Sequence, residues 1–208
     1  MCFDAGESGT EGEFVCMDEM LLKIFELARP FLDTRENEEH TRISCAFAEQ
    51  LLNEEGGDPE VVLPAMILHD VGWKSVPEEL QITAFGPGER DMALNRVHER
   101  EGARIAGEIL KAVHYSPRLI EEITAIVSAH DSAPEAISLN DGIVKDSDKL
   151  WRYTEHGVSL GVKRFLMPRP QYLERLRSHM EEWFFTRTAR SIAENELLLR
   201  EQVPETLE

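Results

Sequence analysis

Residues 58–74 read DPEVVLPAMILHDVGWK, and the fold turns on how this stretch is taken. Asp58-Pro59 is a helix start, because an Asp side chain can cap free amides and Pro fits the first helical position. Behind it Val61, Val62, Leu63, Ala65, Met66, Ile67 and Leu68 form a nearly unbroken apolar run. By period alone such a run is also a buried strand. The Asp-Pro start and the helical patterns on either side decide for helix. A helix apolar on all sides is buried on most of them. This one ends in His69-Asp70, with Gly72 two residues on. A carboxylate delivered there must be paired, hydrogen-bonded or bound to a metal, since burying it bare is costly. Imidazole and carboxylate together suit Fe, Mn, Zn, Co or Ni.

Working outward, every neighbouring segment carries a helical period. Residues 17–29 place Met20, Leu21, Ile24, Phe25 and Ala28 on one stripe, with a stop expected at Pro30. A polar joint covers 33–39. Residues 40–52 align Ile43, Phe47 and Leu51, and Gly56-Gly57 ends them. Residues 71–90 read as a long loop with Gly72, Pro77 and Gly86-Pro87-Gly88, a length that in a compact domain points to function. Helix resumes over 98–113. Ser116-Pro117 repeats the start signal before Leu119, Ile123, Ile126 and Val127. A second loop holds Pro134 and Asn140-Asp141-Gly142, residues 143–153 read as helix, and two more helices follow near 172–185 and 188–199. No strand pair or repeat is evident. The expectation is an all-α, single-domain helical bundle: a flexible arm (1–16), a helical core (17–165), C-terminal helices packed on it (166–203) and a tail (204–208).

Among the 208 residues, 40 are acidic and 22 basic, a formal charge of −18. A surface this acidic repels phosphate backbones and anionic lipids, so general nucleic-acid or membrane-surface binding is not expected. No run approaches the roughly 18 apolar residues of a membrane span. The acidic, Gly-rich start resembles neither a signal nor a transit peptide. Cys2, Cys16 and Cys45 are odd in number and form no CxxC pair, which reads as free thiols in a reducing cytoplasm.

Other polar residues sit where His69 and Asp70 do. His40 is in register with Ile43 and Phe47, His98 opens a helix, His130 closes one, and Asp148 lies one turn before Arg152. Separate helices can thus aim one ligand each at a central point, as helical bundles do. Asp146 and Asp148 are alternative acids in the same Asp-Ser-Asp. Asp131 reads as a loop acid or supporting partner, and His114, His156 and His179 as surface or capping residues. Trp73 and Trp151 flank the motif residues, and core packing is the first expectation for both, stacking on a nucleobase the second.

The order His … His-Asp … Asp, carried by EEHTRISCAFAEQLL, PAMILHDVGWK, VHEREGARIAGEIL, ITAIVSAHD and IVKDSDKLWRY over residues 38–153, resembles the HD-domain superfamily of metal-dependent phosphohydrolases. The resemblance implies His40, His69, Asp70 and Asp148 as the basic ligand set, Asp148 because the family's acid precedes a basic residue and Leu. His98 and His130 look like the extra ligands of branches with two metals, including di-iron members that hydrolyse dinucleoside polyphosphates. One or two divalent ions are therefore implied as cofactor. The implied reaction is cleavage of a phosphoester or phosphoanhydride, in a nucleotide or other small phosphorylated metabolite, by water activated at the metal. Asp70 and Lys74 are the expected catalytic residues, and Lys74, Arg152 and Arg42 the expected phosphate contacts. Many relatives place Lys directly after the Gly, whereas Trp73 intervenes here. A di-iron oxygenase and a nucleotide-sensing module without turnover are the alternatives. The expected partner is the small substrate, with a homodimer left open.

Overall fold

The computed structural model describes residues 18–86, 88 and 90–202. The arm 1–16 with Cys2 and Cys16, the tail 204–208 and Pro87 lie outside the described residues. Ten α-helices follow in chain order: α1 (Glu19–Leu32), α2 (Asn37–Glu55), α3 (Pro59–Leu68), α4 (Glu78–Phe85), α5 (Met92–Ala112), α6 (Pro117–Val127), α7 (Leu139–Leu150), α8 (Glu155–Phe165), α9 (Arg169–Trp183) and α10 (Arg187–Gln202). Short 3-10 turns cover Val71–Ser75 and Trp151–Tyr153. No strand occurs among the described residues, and none of their helices is long and apolar enough to cross a membrane.

α3 is the central rod. Asp58 caps it by accepting from the Glu60 amide at 3.0 Å, and Pro59 takes the first position. Val61, Val62, Ala65, Met66, Ile67 and Leu68 are fully enclosed, each side chain contributing about 1.5–3 kcal/mol if it is of Val or Leu size. α1, α2, α6 and α7 surround it. α5 lies against α6 and against the 3-10 turn that follows α3. That turn sits so close to α5 that a Cβ on Gly72 would come within 1.9 Å of the His98 carbonyl oxygen and 2.5 Å of the Gly102 amide. Only a glycine lets the chain after Asp70 touch the helix that carries His98.

Several boundaries differ from the sequence expectation. α1 runs through Pro30 to Leu32. The carbonyl that Pro30 leaves without a partner belongs to Glu26, which is solvent-exposed, so water can satisfy it. Residues 71–90 are not a loop: a 3-10 turn and α4 occupy most of them. His98 does not open its helix, because α5 begins at Met92, capped by Asp91 through the Ala93 and Leu94 amides. Asn140-Asp141-Gly142 is the first turn of α7, capped by Ser138. Ser116 makes no side-chain cap, although Pro117 does start α6. α8 was not foreseen. It packs on the Trp151–Tyr153 turn and on α9, which the Tyr153 hydroxyl also holds by donating to the Leu176 carbonyl at 2.9 Å, while α10 packs directly on α2 and α7.

Candidate metal centre

Six polar side chains from five places in the chain meet beside α3. His40 stands on the first turn of α2. His69 and Asp70 follow the last residue of α3. His98 is on α5, His130 in the turn after α6, and Asp148 on the last turn of α7. All six are buried. His40 Nε2 lies 2.9 Å from His69 Nε2, and His98 Nε2 lies 3.3 Å from His130 Nε2. Asp70 spans the two pairs. Its Oδ2 is 3.5 Å from His40 Nε2 and 3.7 Å from His69 Nε2, while its Oδ1 is 3.5 Å from His98 Nε2 and 3.8 Å from His130 Nε2. Asp148 Oδ1 faces the first pair at 3.4 and 3.7 Å.

Neighbouring groups aim these donors. The Nδ1 atoms of His69 and His130 lie 2.7 Å and 2.9 Å from the carbonyls of Met66 and Val127. A carbonyl only accepts, so each Nδ1 carries a hydrogen and Nε2 is the ring atom that faces the cluster. The Trp73 indole N–H donates to Asp70 Oδ1 at 3.0 Å. Glu99, buried on α5, accepts from the Asp131 and Ser132 amides at 3.1 and 2.8 Å and so pins the turn that bears His130. Its adjacency to His98 was its only trace in the sequence. Asp146 does not face the cluster. It accepts from the Phe185 amide at 2.8 Å and from the Thr186 amide and hydroxyl at 2.9 and 2.7 Å.

The electrostatics follow from burial. Burial raises the Asp70 carboxyl, but His69, His130, His40 and His98 together reverse this and hold it well below the usual carboxylate range. Burial does the same to Asp148, where Lys149 and Arg152 outweigh it. Desolvation pushes His98 down to about 3 and lowers His40. At His130 desolvation is overcome by Asp70 and Asp131, which lift it to about 9.

The residues present fit a divalent cation. Ligands about 2.0–2.2 Å from an ion stand about 2.9–3.5 Å apart across octahedral or tetrahedral edges, and the paired imidazoles and the oxygens facing them stand 2.9–3.8 Å apart. Three sets of donors lie mutually within 4.8 Å: His40, His69 and Asp148; His69, Asp70 and His130; and His98, His130 and Asp131. Asp131, read from sequence as a supporting acid, thus stands with the second pair, where Lys149 also donates to it at 3.0 Å.

A cavity of about 400 Å³ reaches the cluster at His130 and Asp131. Beside it a recess of about 20 Å³ is walled by His40, Asp70 and Asp148. Arg152, expected from sequence, lines both, and its Nη1 donates to the Asp148 carbonyl at 2.6 Å. The other two expected phosphate contacts point elsewhere. Lys74 is half exposed and donates to the Asp33 carbonyl at 3.0 Å, because the 3-10 turn that inserts Trp73 against His98 carries Lys74 outward. Arg42 pairs with Glu38 at 3.0 Å and lies over Phe25. Neither lines the cavity or the recess. Arg35 and Arg164, which sequence reasoning passed over, line both. Trp73 is packed, 1% exposed, and Trp151 is a wall of the recess. His156 faces Glu36 at 3.5 Å, and His179 stacks on Trp183.

An all-α bundle that converges imidazoles and carboxylates from separate helices on one buried point defines a class, the helical bundles with a candidate metal centre. The chain belongs to the HD-domain family: the model of the HD domain matches residues 37–152, and with it comes membership of the HD superfamily of metal-dependent phosphohydrolases. The fold is similar to a crystal structure described as a predicted HD superfamily hydrolase from an uncultured Thermotogales bacterium, at 22% identity and a TM-score of 0.57, over 87% of this chain and 84% of that one. No curated protein matches the sequence. Arg164, Tyr172, Arg175 and Trp183 line the cavity from α8 and α9, beyond the matched region.

Proposed function

We propose that the chain hydrolyses a phosphoester or phosphoanhydride in a small phosphorylated metabolite, a nucleotide being one form, at a two-ion centre. One observation carries this. In a chain of net charge −18, the cavity at the donor cluster is lined by Arg35, Arg90, Lys145, Lys149, Arg152, Arg164 and Arg175 against two acids, Asp131 and Glu182. Such a reversal of sign concentrates a multiply charged anion at this one place. It favours an anionic substrate, such as a phosphorylated one, over a neutral one.

The residues divide the work. His40, His69 and Asp148 would hold one ion, His98 and His130 the other, with Asp131 beside the second pair and Asp70 giving one oxygen to each side. A divalent ion bound there supplies Lewis acidity toward water and toward a phosphoryl oxygen. Lys149 and Arg152 hold Asp148 in its charged form. The Trp73 N–H keeps Asp70 in the orientation that reaches both pairs. The cavity arginines neutralise charge on the substrate phosphate. The test is metal content of protein purified without added metal, followed by a phosphatase screen over nucleotides and sugar phosphates with His69→Ala as control. Two ions per chain and His69-dependent release of phosphate are expected. Stoichiometric metal with no turnover of any phosphate would sink the hydrolase reading.

A further inference from the structure

The link between α1 and α2 holds two consecutive non-glycine residues in the left-handed region, Arg35 at φ 56° and Glu36 at φ 61°. L residues avoid this conformation, and a protein keeps it only where the surroundings impose it. Here the link delivers the Arg35 side chain into the interior. Its guanidinium lies between the rings of Trp73 and Phe85, 4.2 and 3.9 Å from their centroids. Ring faces satisfy the charge but not the N–H groups at its edge. Arg35 Nε and Nη1 are enclosed with no hydrogen-bond partner in the protein, and among the described residues no carboxylate lies within ion-pair distance of this side chain. The residue as a whole is half-buried, and enclosing two of its N–H groups without acceptors is costly.

Arg35 is not alone. Asn37 Nδ2 and Trp151 Nε1 are also buried without a partner, and both residues wall the same small recess over His40, Asp70 and Asp148. All these atoms are donors. Arg152 and Arg164 add charge to the same wall, and the Arg164 Nη2 donates to the Arg35 carbonyl at 3.1 Å, fixing the strained link. Burial pushes Arg35 down to about 10, and Arg164 and Arg152 push the same way against Asp70 and Asp131. Asp70, Asp131 and Asp148 wall the same recess, so its three arginines balance its acids, and the donors left without partners are what an arriving anion would satisfy.

We propose that Arg35, Asn37 and Trp151, backed by Arg152 and Arg164, form a built oxyanion site that receives one oxygen of a phosphoryl group lying in the adjoining cavity against the donor cluster. The site deepens the hydrolase reading by naming what grips the reacting phosphate. It rests on that reading only for the fate of the phosphate, because its donors belong to the chain and bind the anion without a metal.

The test uses the full chain, stripped of metal by a chelator, with inorganic phosphate as the probe. Thermal melting is followed at rising phosphate against chloride of equal ionic strength, for the wild type, Arg35→Met, Trp151→Phe and an exposed control, Arg118→Met. Wild type and control gain melting temperature with phosphate. Arg35→Met melts in chloride at or above the wild-type temperature, because two enclosed N–H groups without acceptors have gone and the apolar stem remains, and it binds phosphate about tenfold or more weakly. Trp151→Phe keeps the ring, loses the donor, and weakens phosphate about fivefold. If Arg35→Met melts lower in chloride while its phosphate increment is unchanged, Arg35 is a packing residue and the proposal falls. A wild type that gains nothing from phosphate also overturns it. Arg35-dependent phosphate binding in a chain whose metal-loaded form turns over no phosphate would uphold this site and sink only the hydrolase reading.

Discussion

The indole of Trp73 lies flat on the imidazole of His98, ring centroids 4.1 Å apart and 14° from parallel. The same indole donates its N–H to Asp70 Oδ1 at 3.0 Å. One side chain therefore sets the plane of a histidine and the rotation of the carboxylate between the two histidine pairs. Trp73→Phe keeps an aromatic face against His98 and removes the donor. The expected result is a loss of about 1–3 kcal/mol in stability and about tenfold in metal affinity, the usual effect of an outer hydrogen bond on a ligand. Competition against a chromophoric chelator measures the second quantity. Unchanged affinity would show that Asp70 needs no such support.

Asp146 and Asp148 are two residues apart, equally buried, and separable by what they touch. Asp146 accepts three hydrogen bonds from Phe185 and Thr186 and ties α7 to the start of α10. Asp148 faces His40 and His69. Asp146→Ala leaves two amides and a hydroxyl unpaired and is expected to cost about 2–4 kcal/mol, with metal content retained in the folded fraction. Asp148→Ala is expected to lose metal while melting in chelator near the wild-type temperature. Urea denaturation and elemental analysis on both variants give a crossed pattern, and the same defect in both would refute the division.

The sequence was legible where a signal was local. Asp58-Pro59 and the apolar run behind it placed α3, and His69-Asp70 at its end placed the cluster. α4 was missed because it buries only Gln81 and Ala84 and so shows no stripe. α8 was missed because its buried positions are Gly157, Val158 and Gly161, small residues that carry little periodic signal. Arg35 was invisible for a different reason. Its position depends on two left-handed residues and on rings 38 and 50 positions away in the chain, none of which a polar joint announces. Lys74 lies outside the cavity lining because the 3-10 turn packs Trp73 on His98 and directs Lys74 to the Asp33 carbonyl, a rotation that the sequence does not announce.

Gly72 tests the contact that brings Asp70 against α5. A Cβ there meets backbone atoms of His98 and Gly102 rather than the end of a flexible side chain, so relief requires moving the turn or the helix. Gly72→Ala is expected to lower stability by about 3 kcal/mol, at the upper end for overpacking. Metal affinity should fall with it, since Asp70 and His98 would be forced apart. Gly88→Ala, at φ 117° with nothing within 4 Å of its Cβ, serves as a comparison that carries backbone strain without a clash. If Gly72→Ala is no worse than Gly88→Ala in denaturation and retains wild-type metal affinity, the close approach is not what aligns the two ligands.

Cys45 offers a probe of the bundle that is independent of the centre. It is 3% exposed on α2, and burial, with Glu49 adding repulsion, raises its thiol far above the ordinary value. The thiolate is the reactive form, so the native chain holds Cys45 protonated across the accessible alkaline range. At pH 8 a maleimide or iodoacetamide should leave Cys45 unlabelled in the native protein and label it fully in urea, with peptide mapping to separate it from Cys2 and Cys16. Protection should track global unfolding, because exposing Cys45 requires α2 to leave the core, and α2 carries His40. Labelling of Cys45 under native conditions at a rate near that of a free thiol would mean that α2 opens on its own, and a His40 held by so loose a helix could not keep its 2.9 Å approach to His69.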